Sequence, residues 1–338
     1  MNHGESEAQA SPWLLGPARD VVLFLFPFVL PLALLAVSLG FPSITESVPF
    51  NDAQYVFVTF HVLLTFRFLG SGGLRIGAKQ IAFAVIAMSV CFFLPVAEWL
   101  LIRRGHPAIS APSIALLYAI NSWNIATQSV FVTGLYRERA GINTPSDAAL
   151  DRQLIGVNAL LFFGIGWFYT DQIPMLLEWR LDLFRYLFVL LALYLFVLGV
   201  LVVQRRARQW RANRRTILPV AALLSALAYP WPMFLVLWTP EPSMKLLSLT
   251  MSAHAFQSIA LNFFVLPRPS RGRFALQCAV ALCGSIAMLV AMKVTADRYG
   301  ESPVLVYCFQ GFAMGLALLH SVGDLGVFRL SEQKGPHK

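Results

Sequence analysis

Three histidines, His61, His254 and His320, stand inside long apolar runs of this 338-residue chain. His3 and His337 lie in the polar ends, and His106 lies in a short connection. An ionisable ring in an apolar run is costly to place, so it calls for a partner. One partner is a metal: neutral imidazole suits iron, copper and zinc, and three such ligands leave coordination positions open for substrate or dioxygen. The other is a neighbouring helix, to which each ring simply hydrogen-bonds. The residues by themselves leave both readings open.

Each histidine has polar company at helical spacing. His61 shares a face with Thr65 and Gln54, and His254 with Gln257, Ser258 and Asn262. Asp324 follows His320 by one turn and is expected to orient it by accepting its ring N–H, with Gln257 supporting His254 in the same way. In another apolar run Asn121, Asn124 and Gln128 fall at i, i+3 and i+7. Together with Thr65 they are expected to contact substrate or water. Haem fits less well, because nothing singles out an axial pair. A di-iron carboxylate site would need several acidic residues that these runs lack.

The elements that position these side chains are apolar helices. The chain is 57% hydrophobic and 13% charged, about half the charge of a soluble domain. Ten segments are long and apolar enough to span a bilayer: 20–40, 53–70, 80–102, 112–136, 152–170, 182–204, 216–238, 244–266, 274–295 and 303–328. The expected fold is therefore an all-α, polytopic transmembrane bundle forming a single domain over 1–338. With the N-terminus inside, 19 lysines and arginines fall on the cytoplasmic side and 7 on the other, which favours N-in, C-in. His61 lies nine residues past Asp52, His254 nine past Lys245 and His320 nine before Arg329. At about 1.5 Å per residue, each is about 14 Å deep, so the three share one layer if their helices adjoin.

Several function classes fall away. The net charge of +9 sits mainly in short connections, with no basic face interleaved with aromatics, so nucleic acid is not an expected partner. The run from Arg205 to Arg215 reads as a topology-setting loop that can also meet anionic lipid head groups. Cys91, Cys278, Cys283 and Cys308 form no CxxC pattern and read as buried small hydrophobes. No GxSxG, Walker A or dinucleotide glycine pattern occurs. Val21 to Leu39 reads as a first span, not a cleaved signal. Gly311-x3-Gly315 reads as a small-residue packing face.

Four short patches carry a resemblance. Trp123-Asn124-x3-Gln128 continuing to Tyr136-Arg137, His254-x2-Gln257, His320-x3-Asp324 and His61-x3-Thr65 resemble motifs of uncharacterised bacterial polytopic membrane proteins. In that series the first motif reads W-H-x3-Q, so this chain carries Asn124 where the pattern has histidine. The resemblance implies a bacterial inner membrane and a site that has lost one ligand or exchanged it for an amide. The expectation is a membrane protein with an intramembrane histidine site for iron, copper or zinc, acting on a lipophilic substrate. A proton-coupled carrier and a non-catalytic scaffold are the alternatives. Membrane lipids are the expected partners.

Overall fold

Long apolar runs punctuated by glycine and proline fold as helices, and every regular element among the described residues is helical. The computed structural model describes residues 11, 13–25, 33, 36–37, 40–41, 48–65, 78–105, 111–142, 144–169, 178–213, 216–228, 254–265, 271–299, 315–316 and 318–320. Helix α1 (Pro17–Asp20) continues as a π-helical turn, Val21–Leu25. Then come α2 (Val48–Thr65), α3 (Ala78–Arg103), α4 (Ala111–Ala140), α5 (Pro145–Tyr169), α6 (Glu178–Ala212) and α7 (Ile217–Ala228). Helix α8 covers residues 254–260 and continues as the π-helical turn Leu261–Val265; α9 is Arg271–Tyr299. Residues 315–316 and 318–320 are also helical. The expected all-α class holds. About half of the segments at 20–40 and 244–266, and most of the segment at 303–328, lie outside the described residues.

Helix α4 is the central element. On one side it packs against α7, α8 and the Val21–Leu25 turn, through Phe131, Val132 and Tyr136 against Phe24, Leu218 and Leu261. On the other it meets α5, α6 and α7, with Ala126 near Leu154, Ile155, Leu198 and Leu223. Helix α9 packs against α2, where a Cβ on Gly284 would come within 3.0 Å of Leu63 Cδ1. A side chain there would require the Leu63 side chain to shift. Gly315 lies closer still to α3: its missing Cβ would sit 2.5 Å from Met88 Sδ. That close approach agrees with the packing role expected of Gly315; Gly311 lies outside the described residues.

Two helical stretches, Val189–Ala212 and Arg271–Thr295, are long and apolar enough to cross a membrane. A core helix of the same composition would be mostly buried, yet their most apolar windows are only 17% and 11% buried. Leu190, Phe196 and Val203 on α6 and Leu276, Val280 and Val290 on α9 are exposed. Among the cysteines the expectation of burial holds for Cys91 but not for Cys283, which stands exposed on the outward apolar face of α9. A thiol is apolar enough for such a surface. Cys278 is half-buried, and Cys308 lies outside the described residues.

The turn between α4 and α5 is fixed by its residues. Gly141, at φ 70°, takes the left-handed conformation that ends a helix, and Ile142 N–H reaches back to Arg137 O at 3.0 Å. Thr144 then caps α5, its Oγ1 accepting from Asp147 N–H at 3.2 Å, with Pro145 in the first helical position. This tight hairpin sets Arg137 opposite Asp151.

That pairing corrects one sequence expectation. Arg205, Arg206, Arg208 and Arg211 do not open a loop, because α6 runs unbroken to Ala212; Arg214 and Arg215 lie outside the described residues. Arg206 is buried and donates to both Asp151 oxygens, at 2.7 and 2.6 Å, while Arg137 pairs with the same carboxylate. Arg205 Nε meets Asp147 Oδ1 at 2.6 Å. The charges that read as topology signals thus also bolt α4, α5 and α6 together. The reason is partnership: buried acids at Asp147 and Asp151 require cations, and helical spacing brings Arg205 and Arg206 to them.

Removing one member of such a cluster strands the others in a dry interior. Asp151→Ala is expected to destabilise the purified protein by about 3–5 kcal/mol in denaturant unfolding, against little change for Arg152→Ala at an exposed position. Burial works to raise the Asp147 pKa, but the Thr144 hydroxyl and Arg205 and Arg206 outweigh it, so the net shift is downward. A depressed folded-state pKa contributes stability above the ordinary carboxylate value, lost as pH falls through the folded one. The melting temperature should therefore drop on acidification below about pH 4, and Asp147→Asn should flatten that drop.

Candidate metal centre

His61 projects from α2, His254 opens the described part of α8, and His320 ends the segment 318–320. The three come from distant parts of the sequence and meet as one buried group. Their candidate ligand nitrogens all lie within 4.8 Å of one another, and each residue is no more than 3% exposed. The ring centres are 4.7 Å apart for His61–His320, 5.3 Å for His61–His254 and 6.0 Å for His254–His320, with each pair close to edge-on.

The spacing can be compared with what a metal requires. Histidine nitrogens sit about 2.0–2.1 Å from zinc, so ring centres around one tetrahedral ion stand roughly 5 Å apart. The observed separations straddle that value. The nitrogens need to close to about 3.3 Å, a shift within reach of ring rotation and small side-chain movement. This group can hold a metal ion; the donor set of three imidazoles suits iron, copper and zinc alike.

Two hydrogen bonds bear on ring orientation. His61 Nδ1 faces the carbonyl of Val58 within α2. A carbonyl only accepts, so Nδ1 carries the proton and Nε2 the lone pair. That is the arrangement in which a metal-binding histidine is held by its second nitrogen. His254 Nε2 lies 2.9 Å from Asn124 Nδ2 on α4, placing the amide as donor.

The second layer of polar residues is partly as expected. Gln128 Nε2 donates to Gln257 Oε1 at 2.7 Å and approaches His254 O at 3.4 Å, so Gln257 supports His254 through α4 and not through the ring. Asn124 and Gln128 are buried beside the histidines, and Asn124 Oδ1 and Gln128 Oε1 have no hydrogen-bond partner among the described residues. The backbones of Thr65 and Asn121 are helical, but their side chains lie outside the described residues, as does Asp324 altogether. The second, fourth and eighth helices expected to build this layer, together with the 318–320 segment, do adjoin.

One polar feature at the far end of α4 escaped the sequence reading. Asp20 is fully buried, accepts from Leu14 and Leu15 N–H at 2.6 and 2.9 Å, and lies beside the buried Tyr136. The signal was present in Asp20 itself, an acid at the edge of an apolar run. Its backbone partners, however, are groups that no residue pattern marks.

The glutamine pair invites a direct test. Gln128→Leu leaves Gln257 Oε1 without its donor in a buried setting and should cost about 1–3 kcal/mol of stability. The Gln128→Leu/Gln257→Leu double variant should lose less than the single one, because no orphaned acceptor remains. Denaturant unfolding of the three proteins measures the difference. No protein-family model, curated protein or solved structure matches this chain.

Proposed function

We propose that this chain is a multi-pass membrane protein of about ten spans, with both termini cytoplasmic, in a bacterial inner membrane. Within it, His61, His254 and His320 hold a transition metal. The observation that carries the metal reading is the convergence of three buried imidazoles from three separate elements, their ligand atoms within 4.8 Å. The membrane reading is supported by a composition poor in charge and by two long helices whose apolar faces point outward.

Within this reading each polar neighbour has a task. Val58 O fixes the tautomer of His61. Turning the Asn124 amide over would set Oδ1 against His254 Nε2–H and leave Nδ1 of that ring as the ligand, the usual support for a metal-bound imidazole. Gln128 holds the first turn of α8 in place through His254 O and Gln257. A metal held by three neutral ligands supplies an open position at which dioxygen or a polarised group binds. Surroundings this apolar fit a lipophilic substrate such as an isoprenoid, carotenoid or acyl chain.

One observation favours a second reading. Asn124 donating to His254 Nε2 is also what an interhelical hydrogen-bond hub needs, and a hub serves a scaffold or assembly subunit. Metal analysis separates the two. Detergent-purified protein should carry about one iron, copper or zinc per chain, lost in the His61→Ala/His254→Ala/His320→Ala variant. A metal-free parent that melts higher than the variant would leave the histidines as hydrogen-bonding residues and end the metalloenzyme reading.

A further inference from the structure

A slot of about 330 Å³ opens between α4 and α5 beside their connecting turn, away from the histidines. Its volume is at the lower end of small-molecule sites. Its walls divide by character. Phe131 and Leu135 line the end deeper along α4, Arg137, Glu138 and Arg152 stand at mid-length, and Thr144, Pro145 and Ala148 line the end nearer the turn. From Phe131 to Glu138 the slot follows α4 for about 10 Å, at 1.5 Å per residue. A Cβ on Gly134 would meet only Arg137 Nη2, at 3.6 Å, so its bare backbone leaves the slot open at mid-length.

The charge around the slot is not balanced. Asp151 and Asp147 are engaged by Arg137, Arg205 and Arg206. Counting Glu138 with the acids and Arg152 with the bases, the slot and its ion cluster retain one positive charge in excess. Arg152 is exposed on the rim and has no partner among the described residues. A guanidinium fork at the mouth of a partly apolar slot matches a phosphate that carries an apolar extension. A bare phosphate ion would leave Phe131 and Leu135 unused.

We propose that this slot binds the head group of an anionic phospholipid, its phosphate on Arg152 and its acyl-glycerol end against Phe131 and Leu135. The inference rests on the membrane reading but not on the metal one. Bound lipid would wedge the α4–α5 hairpin at the membrane surface, next to the ion cluster that joins it to α6. Glu138 on the same rim disfavours a second phosphate and so limits the slot to one lipid.

Native mass spectrometry of the full chain in detergent, titrated with phosphatidylglycerol or phosphatidylcholine, tests this. The parent should retain one phosphatidylglycerol in preference to phosphatidylcholine. Arg152→Gln should weaken retention about fivefold. Gly134→Leu, which fills the slot without changing charge, should weaken it as well, while Arg211→Gln on the end of α6 should not. Equal retention by Arg152→Gln and the parent, or equal uptake of the two lipids, would overturn the proposal. Displacement by inorganic phosphate at lipid-phosphate concentrations would overturn it in favour of a free anion. Should Gly134→Leu fail to fold, Arg152→Gln at its exposed position still decides. Failure of the membrane reading would show separately, as a protein that stays dispersed without detergent.

Discussion

Asp151 has no exposed surface, and its carboxylate sits between Arg137 of α4 and Arg206 of α6, both almost as deeply buried. Charges placed in a dry interior tolerate few arrangements, because each must face its counter-ion and satisfy its hydrogen bonds at once. The junction therefore dictates how three helices cross. The hairpin turn at Gly141 and Thr144 brings Arg137 to Asp151, and the unbroken length of α6 delivers Arg206 to the same point. Sliding any of the three by a residue would expose or orphan a charge.

With that end held, α4 becomes a platform for everything else. Its apolar residues serve two cores, one with the Val21–Leu25 turn, α7 and α8 and one with α5, α6 and α7. Its polar residues, Asn124 and Gln128, reach α8 and hold His254 from ring and backbone. The other two histidines depend on different supports. His61 rides on α2, which packs on α9 with Leu63 against Gly284; His320 follows Gly315, which packs on Met88 of α3. The histidine group is thus the point where separately positioned elements converge. The elements that carry it pack closely at Gly284 and Gly315 and are joined to α4, which the ion cluster holds.

The sequence carried much of this in plain view. Helical class follows from long apolar runs, and the outward faces of α6 and α9 from their lack of charge. The histidines, Asn124, Gln128 and Gln257 were legible because polar groups in apolar runs need partners, and the structure brings these six into one cluster. Other features were less legible. Arg205 and Arg206 look alike in a basic run, yet one is over a third exposed and the other buried. Their difference lies in which side of α6 faces α5, and a run of like charges does not encode that by itself.

Residue type and spacing alone determined that this chain folds as helices, that its polar groups form a sparse interior set, and that three of them are imidazoles. Those properties are local: they depend on side-chain chemistry and a 3.6-residue period. Only the tertiary structure decided that residues 61, 254 and 320 lie within one ion's reach, that Asn124 faces His254, and that Arg152 lines a slot. Those properties are relations between helices far apart in sequence. They arise from close approach at glycines and from burial of opposite charges, which no single stretch of the chain contains.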